Sequence, residues 1–438
     1  MENQVKISVV MPVYNGEKYL REALDTVVNQ TLKEIEIICV DDGSTDNTLE
    51  ILNEYKIKDS RIKVLKHLEK TDGAAAARNM GMCTAVGEYL SFLDADDFFK
   101  LEMLEKAYKR AIEDGSDVVL YDAYVYDEIS KRNYKEGWIL DHKYLPDCTY
   151  FRPEDCKDTL FRISMGAAWS ALFKRKMVMD NHLKFESIHH TDDLVFVYLA
   201  YCCANQISIL DERLMHYRKN VIDSQSANVS SHPEAGYMAP VILKEKLKEK
   251  GFYGTYKNAF AMLTLEVGKW HLDNMREFAG FKLLFDALKN KYLKELGALE
   301  WTTENVEDEL IEWRDRVLSN TAEEYLVKRP IVDETVRNLG NIPSVIKNND
   351  KIIIYGAGVI GRKLFSNIME MGIFKIVGWV DKNYMNIGYP IQSIDTILNM
   401  DYDYILVAIK YAHVYKVIKA SLMDMGIKEE KIIRVNKI

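Results

Sequence analysis

The sequence predicts an α/β chain whose first part is a doubly wound, mostly parallel sheet. Short apolar runs recur along the first hundred of 438 residues, each breaks off in polar, turn-prone sequence, and helical patterns separate them. The first run, residues 7–11, leads into Pro12-Val13-Tyr14-Asn15-Gly16. Next comes a helical face of Tyr19, Leu20, Ala23, Val27 and Val28. Residues 36–40 form the second run and end in Asp41-Asp42-Gly43-Ser44-Thr45-Asp46. A third, 62–65, precedes Thr71-Asp72-Gly73 and a small-residue helix over 74–85. The fourth, Tyr89-Leu90-Ser91-Phe92-Leu93, stops at Asp94-Ala95-Asp96-Asp97.

In open parallel sheets ligands bind outside the carboxyl ends of the strands, and Asn15, Asp41, Asp42, Asp94 and Asp96 all fall at such ends. Alternate residues of an extended chain point the same way, so Asp94 and Asp96 can offer oxygens to one centre. Oxygen donors suit a hard cation such as Mg2+ or Mn2+ that also holds phosphates.

Four blocks carry a resemblance: Val9-Val10-Met11-Pro12-Val13-Tyr14-Asn15, Val40-Asp41-Asp42-Gly43-Ser44-Thr45-Asp46, Ala76-Ala77-Arg78-Asn79-Met80-Gly81 and Phe92-Leu93-Asp94-Ala95-Asp96-Asp97. In order and spacing they resemble the family 2 glycosyltransferases, inverting enzymes of the GT-A fold that use nucleotide-diphosphate sugars. The likeness runs over roughly residues 5–226. It implies that Pro12, Val13, Tyr14 and Asn15 lie along the nucleotide. Asp41 or Asp42 accepts from the base, the other turning to the ribose or to capping. Arg78 contacts the base region or a phosphate, and Ala95 lies in the donor site. Asp96 holds Mn2+ or Mg2+, while Asp94 reaches the metal or the ribose.

In that family the general base belongs to an acidic pair that opens a helix about a hundred residues after the metal motif. Thr191-Asp192-Asp193-Leu194 is similar, with Asp193 as base, Asp192 as its fallback, and Asp standing where the family has Glu. Gly166-Ala167-Ala168-Trp169 resembles the segment in which a Trp, here Trp169, flanks the acceptor. His216-Tyr217-Arg218 with Ser224-Gln225-Ser226 resembles the segment that closes over the diphosphate, Arg218 supplying charge. UDP is the nucleotide implied first. The acceptor implied is a glycan, a lipid-linked group or a protein, in surface polysaccharide or glycoconjugate synthesis.

Residues 231–345 alternate apolar and charged positions at helical spacing over 241–250, 258–269, 281–296 and 306–318, which predicts a helical region. Trp270, Trp301 and Trp313 read there as packing residues. A new α/β pattern then begins. A strand over 350–355 is followed by Gly356-Ala357-Gly358-Val359-Ile360-Gly361, a second strand ends at Asp381, and residues 404–409 read as a third. This resembles a small Rossmann-like domain in which Gly356, Gly358 and Gly361 hold a diphosphate and Asp381 a ribose, so that a second nucleotide or NAD could bind. The division expected is a GT-A domain over 1–230 (nucleotide half 1–105, acceptor half 106–230), a helical region over 231–345 and a Rossmann-like domain over 346–438. A nucleotide-binding module with a redox or regulatory role carried by the C-terminal domain is the competing reading of function.

With 48% hydrophobic and 29% charged residues the composition is that of a globular protein. A net charge of −9 offers no basic footprint for nucleic acid. Cys39, Cys83, Cys148, Cys156, Cys202 and Cys203 show no Cys-x-x-Cys spacing, which suits free thiols in a reducing compartment. No signal peptide is apparent, and no run approaches the ~20 apolar residues that span a bilayer. The expectation is a cytoplasmic protein, at most peripheral at the inner membrane face and able to form a homo-oligomer.

Overall fold

In the computed structural model, residues 4–67, 71, 73–189, 191–219, 232–275, 277–327, 346, 350–358, 360–362, 364–365, 368, 375–382, 384, 391–409 and 412–435 are described. They fall into two units that divide between Tyr325 and Leu326.

The first unit is built on one large sheet. β1 (Ile7–Val13), β2 (Ile35–Asp41), β3 (Ile62–Lys66) and β4 (Tyr89–Phe92) lie side by side in the order β3-β2-β1-β4, all parallel. Between them run α1 (Leu20–Val28), α2 (Thr48–Lys58) and α3 (Ala74–Thr84). Every residue of β1 and β2 is buried, as a strand covered on both faces requires. Val9, Met11 and Val13 pack with Leu20, Leu24 and Val27 of α1, whereas Val10, Ile38 and Val40 pack with Ala75, Ala77 and Met82 of α3. Alternation along one strand thereby feeds two cores. Gly81 sets how close α3 comes, since a Cβ there would meet Val10 Cγ1 at 2.4 Å.

Beyond β4 the sheet becomes mixed. β5 (Phe98–Phe99) and α4 (Met103–Asp114) are followed by β6 (Val118–Asp127), β7 (Arg132–Lys135), β8 (Tyr150–Phe151), β9 (Ala171–Lys174), α5 (Arg175–Asp180), α6 (Asp192–Cys203) and β10 (Ile207–Lys219). The order continues β4-β9-β6-β10-β5, with β9 antiparallel to both β4 and β6. β6 and β10 are parallel to each other. The reversed β9 brings the segment before it, residues 166–170, to the carboxyl-end edge beside the start of α6.

The helices after residue 231 begin with α7 (Ala235–Glu249), α8 (Lys257–Asn274) and α9 (Phe278–Ala287). A π-turn over Leu288–Tyr292 interrupts the third helical stretch. Ala239, Leu243 and Leu247 of α7 share a core with Val195, Leu199 and Cys202 of α6, so this region extends the first unit. Trp313 is fully buried and Trp301 half-buried, but Trp270 is 47% exposed, since only part of α8's surface is covered. Among the described residues no helix is long and apolar enough to cross a membrane.

The second unit holds a four-stranded parallel sheet of β11 (Lys351–Tyr355), β12 (Lys375–Val380), β13 (Tyr404–Ala408) and β14 (Ile432–Val435) in the order β12-β11-β13-β14. Ile352, Ile354 and Leu406 face one core, Ile353, Ile405 and Val407 another.

Candidate active site

The carboxyl-end edge of the first sheet is assembled by clips between loops. Asn15 sits in the left-handed region at φ 48°, which Asn tolerates. Its N–H donates to Ser44 Oγ at 2.9 Å, and its Oδ1 accepts from the Thr45 N–H at 2.8 Å. The Gly16 N–H donates to Thr48 Oγ1 at 2.8 Å, which joins the loop after β1 to that after β2. Pro12, which lacks an N–H, comes after the last β1–β4 pair, Val10 with Phe92. Val13 is buried and Tyr14 is 42% exposed beside it. Ala95 approaches the same loop, its Cβ 3.5 Å from where a Cβ on Gly16 would stand.

The two carboxylates after β2 have different surroundings. Asp41 is fully buried; its Oδ1 accepts from the Ser44 N–H at 3.2 Å, while Oδ2 has no hydrogen-bond partner among the described residues. A buried carboxylate oxygen without a donor is costly, and a ligand N–H would relieve it. Asp42 lies 2.6 Å from His67 Nδ1 and accepts from the Thr71 hydroxyl at 2.9 Å. Of the two roles open to Asp42, ribose or capping, the second falls elsewhere: Asp46 Oδ1 accepts from the Thr48 N–H at the start of α2. His67 and Thr71 were not legible as partners, because nothing in their local sequence marks them.

Past β4 the chain turns through three carboxylates. Asp97 is buried and its Oδ1 accepts the Arg218 N–H at 2.7 Å. Burial, then Asp96 and Asp94, push its carboxyl well above the usual range. Asp96 is pushed up to about 6, first by burial and then by Asp94. Arg218, also buried, donates from Nε to the Asp96 carbonyl at 2.6 Å and pairs with Glu22 and Glu128 at 2.5 Å each. Its guanidinium lies over the Tyr19, Phe98 and Tyr126 rings at 4.5–5.1 Å. Arg218 is thus engaged in holding the Asp96–Asp97 turn, where the sequence had offered it to a diphosphate. Ser224, Gln225 and Ser226 lie outside the described residues.

Arg78 joins this turn to the acidic pair. From α3 its Nη2 pairs with Asp94 Oδ1 at 2.7 Å, and its Nη1 with Asp192 Oδ2 at 2.6 Å and Asp193 Oδ1 at 2.7 Å. The side chain is 5% exposed. Burial works against its charge, but Asp193, Asp94 and Asp192 hold it above its usual range. It was expected at the nucleotide; in this structure three carboxylates occupy it. Removing one member of such a buried set costs about 3–5 kcal/mol, since the remaining charges lose compensation.

Asp192 and Asp193 open α6, where the helix dipole favours acids. Asp193 Oδ2 accepts the Ala168 N–H at 2.9 Å, which fixes the carboxylate plane. Its Oδ1 stands beside Arg78 but out of line for a hydrogen bond. Burial pushes Asp193 up to about 7; Arg78 pulls the other way, and Asp192 and Asp94 add to the rise. Asp192 is raised too, again by burial first. A carboxylate near 7 whose Oδ1 has an ion-pair partner but accepts no hydrogen bond has the chemistry of a general base.

Trp169 follows Ala168 but turns inward. It is 4% exposed and stacks on Tyr217, ring centroids 5.0 Å apart at 21°. The surface expected of it toward an acceptor is covered by Tyr217, itself crossed edge-on by Trp138 at 6.4 Å.

Among the described residues no group of three or more His, Cys, Asp and Glu is arranged as a metal cage. Asp94 and Asp96 nonetheless fit a divalent cation that takes its remaining ligands from a diphosphate. Both are hard oxygen donors, and their mutual repulsion is what a cation would relieve.

In the second unit the Gly356 backbone is at φ 105°, and a Cβ on Gly361 would stand 1.8 Å from the Gly356 carbonyl oxygen. Both glycines serve the turn. A Cβ on Gly358 would meet nothing. Asp381 Oδ2, after β12, accepts the Ala357 N–H at 2.7 Å, so it braces the glycine loop that follows β11.

Comparison with known proteins agrees with this geometry. A model described as glycosyl transferase family 2 matches residues 8–180, and one described as C2185-like, N-terminal, matches 348–433. Glycosyltransferase GlyG of Streptococcus pneumoniae is 35% identical over 218 residues, which cover 49% of this chain and 70% of that protein. The chain belongs to glycosyl transferase family 2. The transferase is also 27% identical over 322 residues to a cholesterol galactosyltransferase of Borreliella burgdorferi, covering 69% of this chain and 85% of the other. TarS of S. aureus (residues 1–349), solved in complex with UDP-GlcNAc, superimposes with a TM-score of 0.55 at 23% identity. That match covers 76% of the transferase and 91% of the 1–349 chain, and it shows a shared GT-A fold.

Proposed function

We propose that this transferase moves a sugar from a nucleotide-diphosphate sugar, a UDP-sugar first, to an acceptor hydroxyl with inversion, in the synthesis of a surface polysaccharide or glycoconjugate. The observation that supports this most is Asp193. Its carboxyl is pushed up to about 7, its Oδ1 accepts no hydrogen bond, and the Arg78 ion pair links it to the Asp94 turn.

In this reading Asp41 Oδ2, buried and without a donor, accepts from the base N–H, and Asn15 with Tyr14 borders the nucleotide. Asp96 and Asp94 would hold Mn2+ or Mg2+, and the cation would supply charge to neutralise the leaving diphosphate. The acceptor oxygen attacks the anomeric carbon from the face opposite the leaving group. As the new C–O bond forms, the bond to the diphosphate oxygen breaks and the electron pair leaves with the nucleoside diphosphate. The hydroxyl proton passes to Asp193 Oδ1, while the Ala168 N–H keeps Oδ2 in place. One displacement inverts the centre. Arg218 keeps the Asp96–Asp97 turn in shape, and the second unit takes no step.

The test is a panel of UDP-, GDP- and TDP-sugars with Mn2+ and candidate glycan, lipid-linked and protein acceptors, read by nucleotide release and by product anomer. One donor turned over by the wild type, not by Asp193→Asn, with an inverted product supports the proposal. A retained anomeric configuration would sink it.

A further inference from the structure

Arg78 lies 114 residues before Asp192, yet it touches both the turn that carries Asp94 and the acidic pair that opens α6. The neighbouring Asn79 bolts the same helix to the segment before α6: its Nδ2 donates to the Phe185 carbonyl, and its Oδ1 accepts the Phe185 N–H, both at 2.9 Å. The Phe185 ring lies 5.4 Å from the guanidinium carbon and packs on Phe92 and Phe196. Arg78 therefore has little freedom to swing. Its partners differ in exposure, with the Asp94 side chain 30% exposed, Asp193 16% and Asp192 12%. Asp94 is the member placed to turn away, toward the donor side.

We propose that Arg78 is a positioning residue that holds the acidic pair at a fixed offset from Asp94 and gives up Asp94 to the donor's cation when that cation binds. This rests on the reading of Asp193 as base and of Asp94 as a cation-side carboxylate. The physical consequence is coupling between the two. While Asp94 shares the guanidinium, its negative charge adds to that of Asp192 around the base. Once a cation takes Asp94, the full charge of Arg78 falls on Asp192 and Asp193, and the base ionises more readily. The groups facing Asp193 are Arg78 from α3, Asp94 from the turn after β4, Asp192 on its own helix and the Ala168 N–H. Base readiness is thereby tied to donor occupancy.

The experiment compares wild type, Arg78→Gln, Arg78→Lys and Asp193→Asn as full chains. Mn2+ binding without nucleotide is followed by electron paramagnetic resonance, alongside thermal melting, kcat, donor KM and the pH profile of kcat. In Arg78→Gln, Asp94 has lost its competitor, so Mn2+ is expected to bind about tenfold more tightly. Its kcat is expected to fall about 100-fold with donor KM within about threefold, and the acid limb to move up by about one pH unit. Arg78→Lys keeps the charge but not the fork, so Mn2+ affinity returns toward wild type while kcat recovers only in part.

Wild-type kcat and acid limb in Arg78→Gln overturn the proposal. So does a raised KM at unchanged kcat, which would make Arg78 a donor ligand. If Arg78→Gln does not fold, Arg78→Lys decides: full kcat overturns, while lost kcat with unchanged melting and Mn2+ affinity supports. An Asp193→Asn variant that keeps its kcat identifies the failure as that of the base assignment instead.

Discussion

The two units carry the same kind of sheet edge with different contents. In each, the first strand lies between two parallel neighbours, β2 and β4 in one and β12 and β13 in the other, and loops that carry candidate residues follow their carboxyl ends. The edge of the first unit gathers Asp94, Asp192 and Asp193 around Arg78 and sets Asp42 against His67, with the buried Asp41 and with Asp96 nearby in the chain. The edge of the second has glycines shaped for their own turn and one aspartate that braces it. Topology supplies such an edge in both. In the first, burial and like charge push Asp96 and Asp193 up toward the working range of a base.

The contrast breaks most readily at Asp193. Asp193→Asn is expected to lower kcat about 100- to 10,000-fold with donor binding kept, as calorimetry and initial rates would report. Full activity in that variant would return the acidic pair to a helix-start role. Asp96→Ala should weaken binding of both Mn2+ and the nucleotide by at least about tenfold in equilibrium titrations. Acidity gives the third check. Asp193 must be ionised to accept a proton, and it is pushed up to about 7. kcat/KM, which reports the free enzyme, should therefore fall toward acid with a midpoint near 7, by about tenfold per unit below it. A carboxylate of ordinary pKa would keep the rate flat down to about pH 5.

The second edge sharpens the comparison from the other side. Gly361→Ala forces a methyl against the Gly356 carbonyl and should destabilise the second unit by about 1–3 kcal/mol, seen as an earlier calorimetric transition. Sugar transfer measured below that transition should persist. Gly358→Ala enters open space, so stability should change by less than about 0.5 kcal/mol. If that silent substitution slowed transfer, the second unit would have to hold something the reaction needs.

Much of the first edge was legible because its signals are local. The runs that became β1, β2 and β4 are mostly apolar, broken only by Ser8, Glu36 and Ser91 before their ends, and the candidate residues follow directly after them. The second unit was readable for the same reason, in β11 and in the glycines after it. The middle helices were found with shifted ends, and the π-turn at Leu288–Tyr292 left no mark in the periodicity. Partners distant in sequence were not readable at all. Arg78 was expected at a nucleotide and pairs with acids; Arg218 was offered to a phosphate and holds a turn; Trp169 was set at an acceptor and lies beneath Tyr217.

The sequence by itself determined which segments become buried strands and which carboxylates stand at their ends, since hydrophobic runs and strand alternation act over a few residues. The tertiary structure alone decided what those charges do. Whether a carboxylate titrates near 4 or near 7, and whether an arginine meets a ligand or three aspartates, depends on burial and on neighbours a hundred residues away. Those two quantities exist only once the chain has closed on itself.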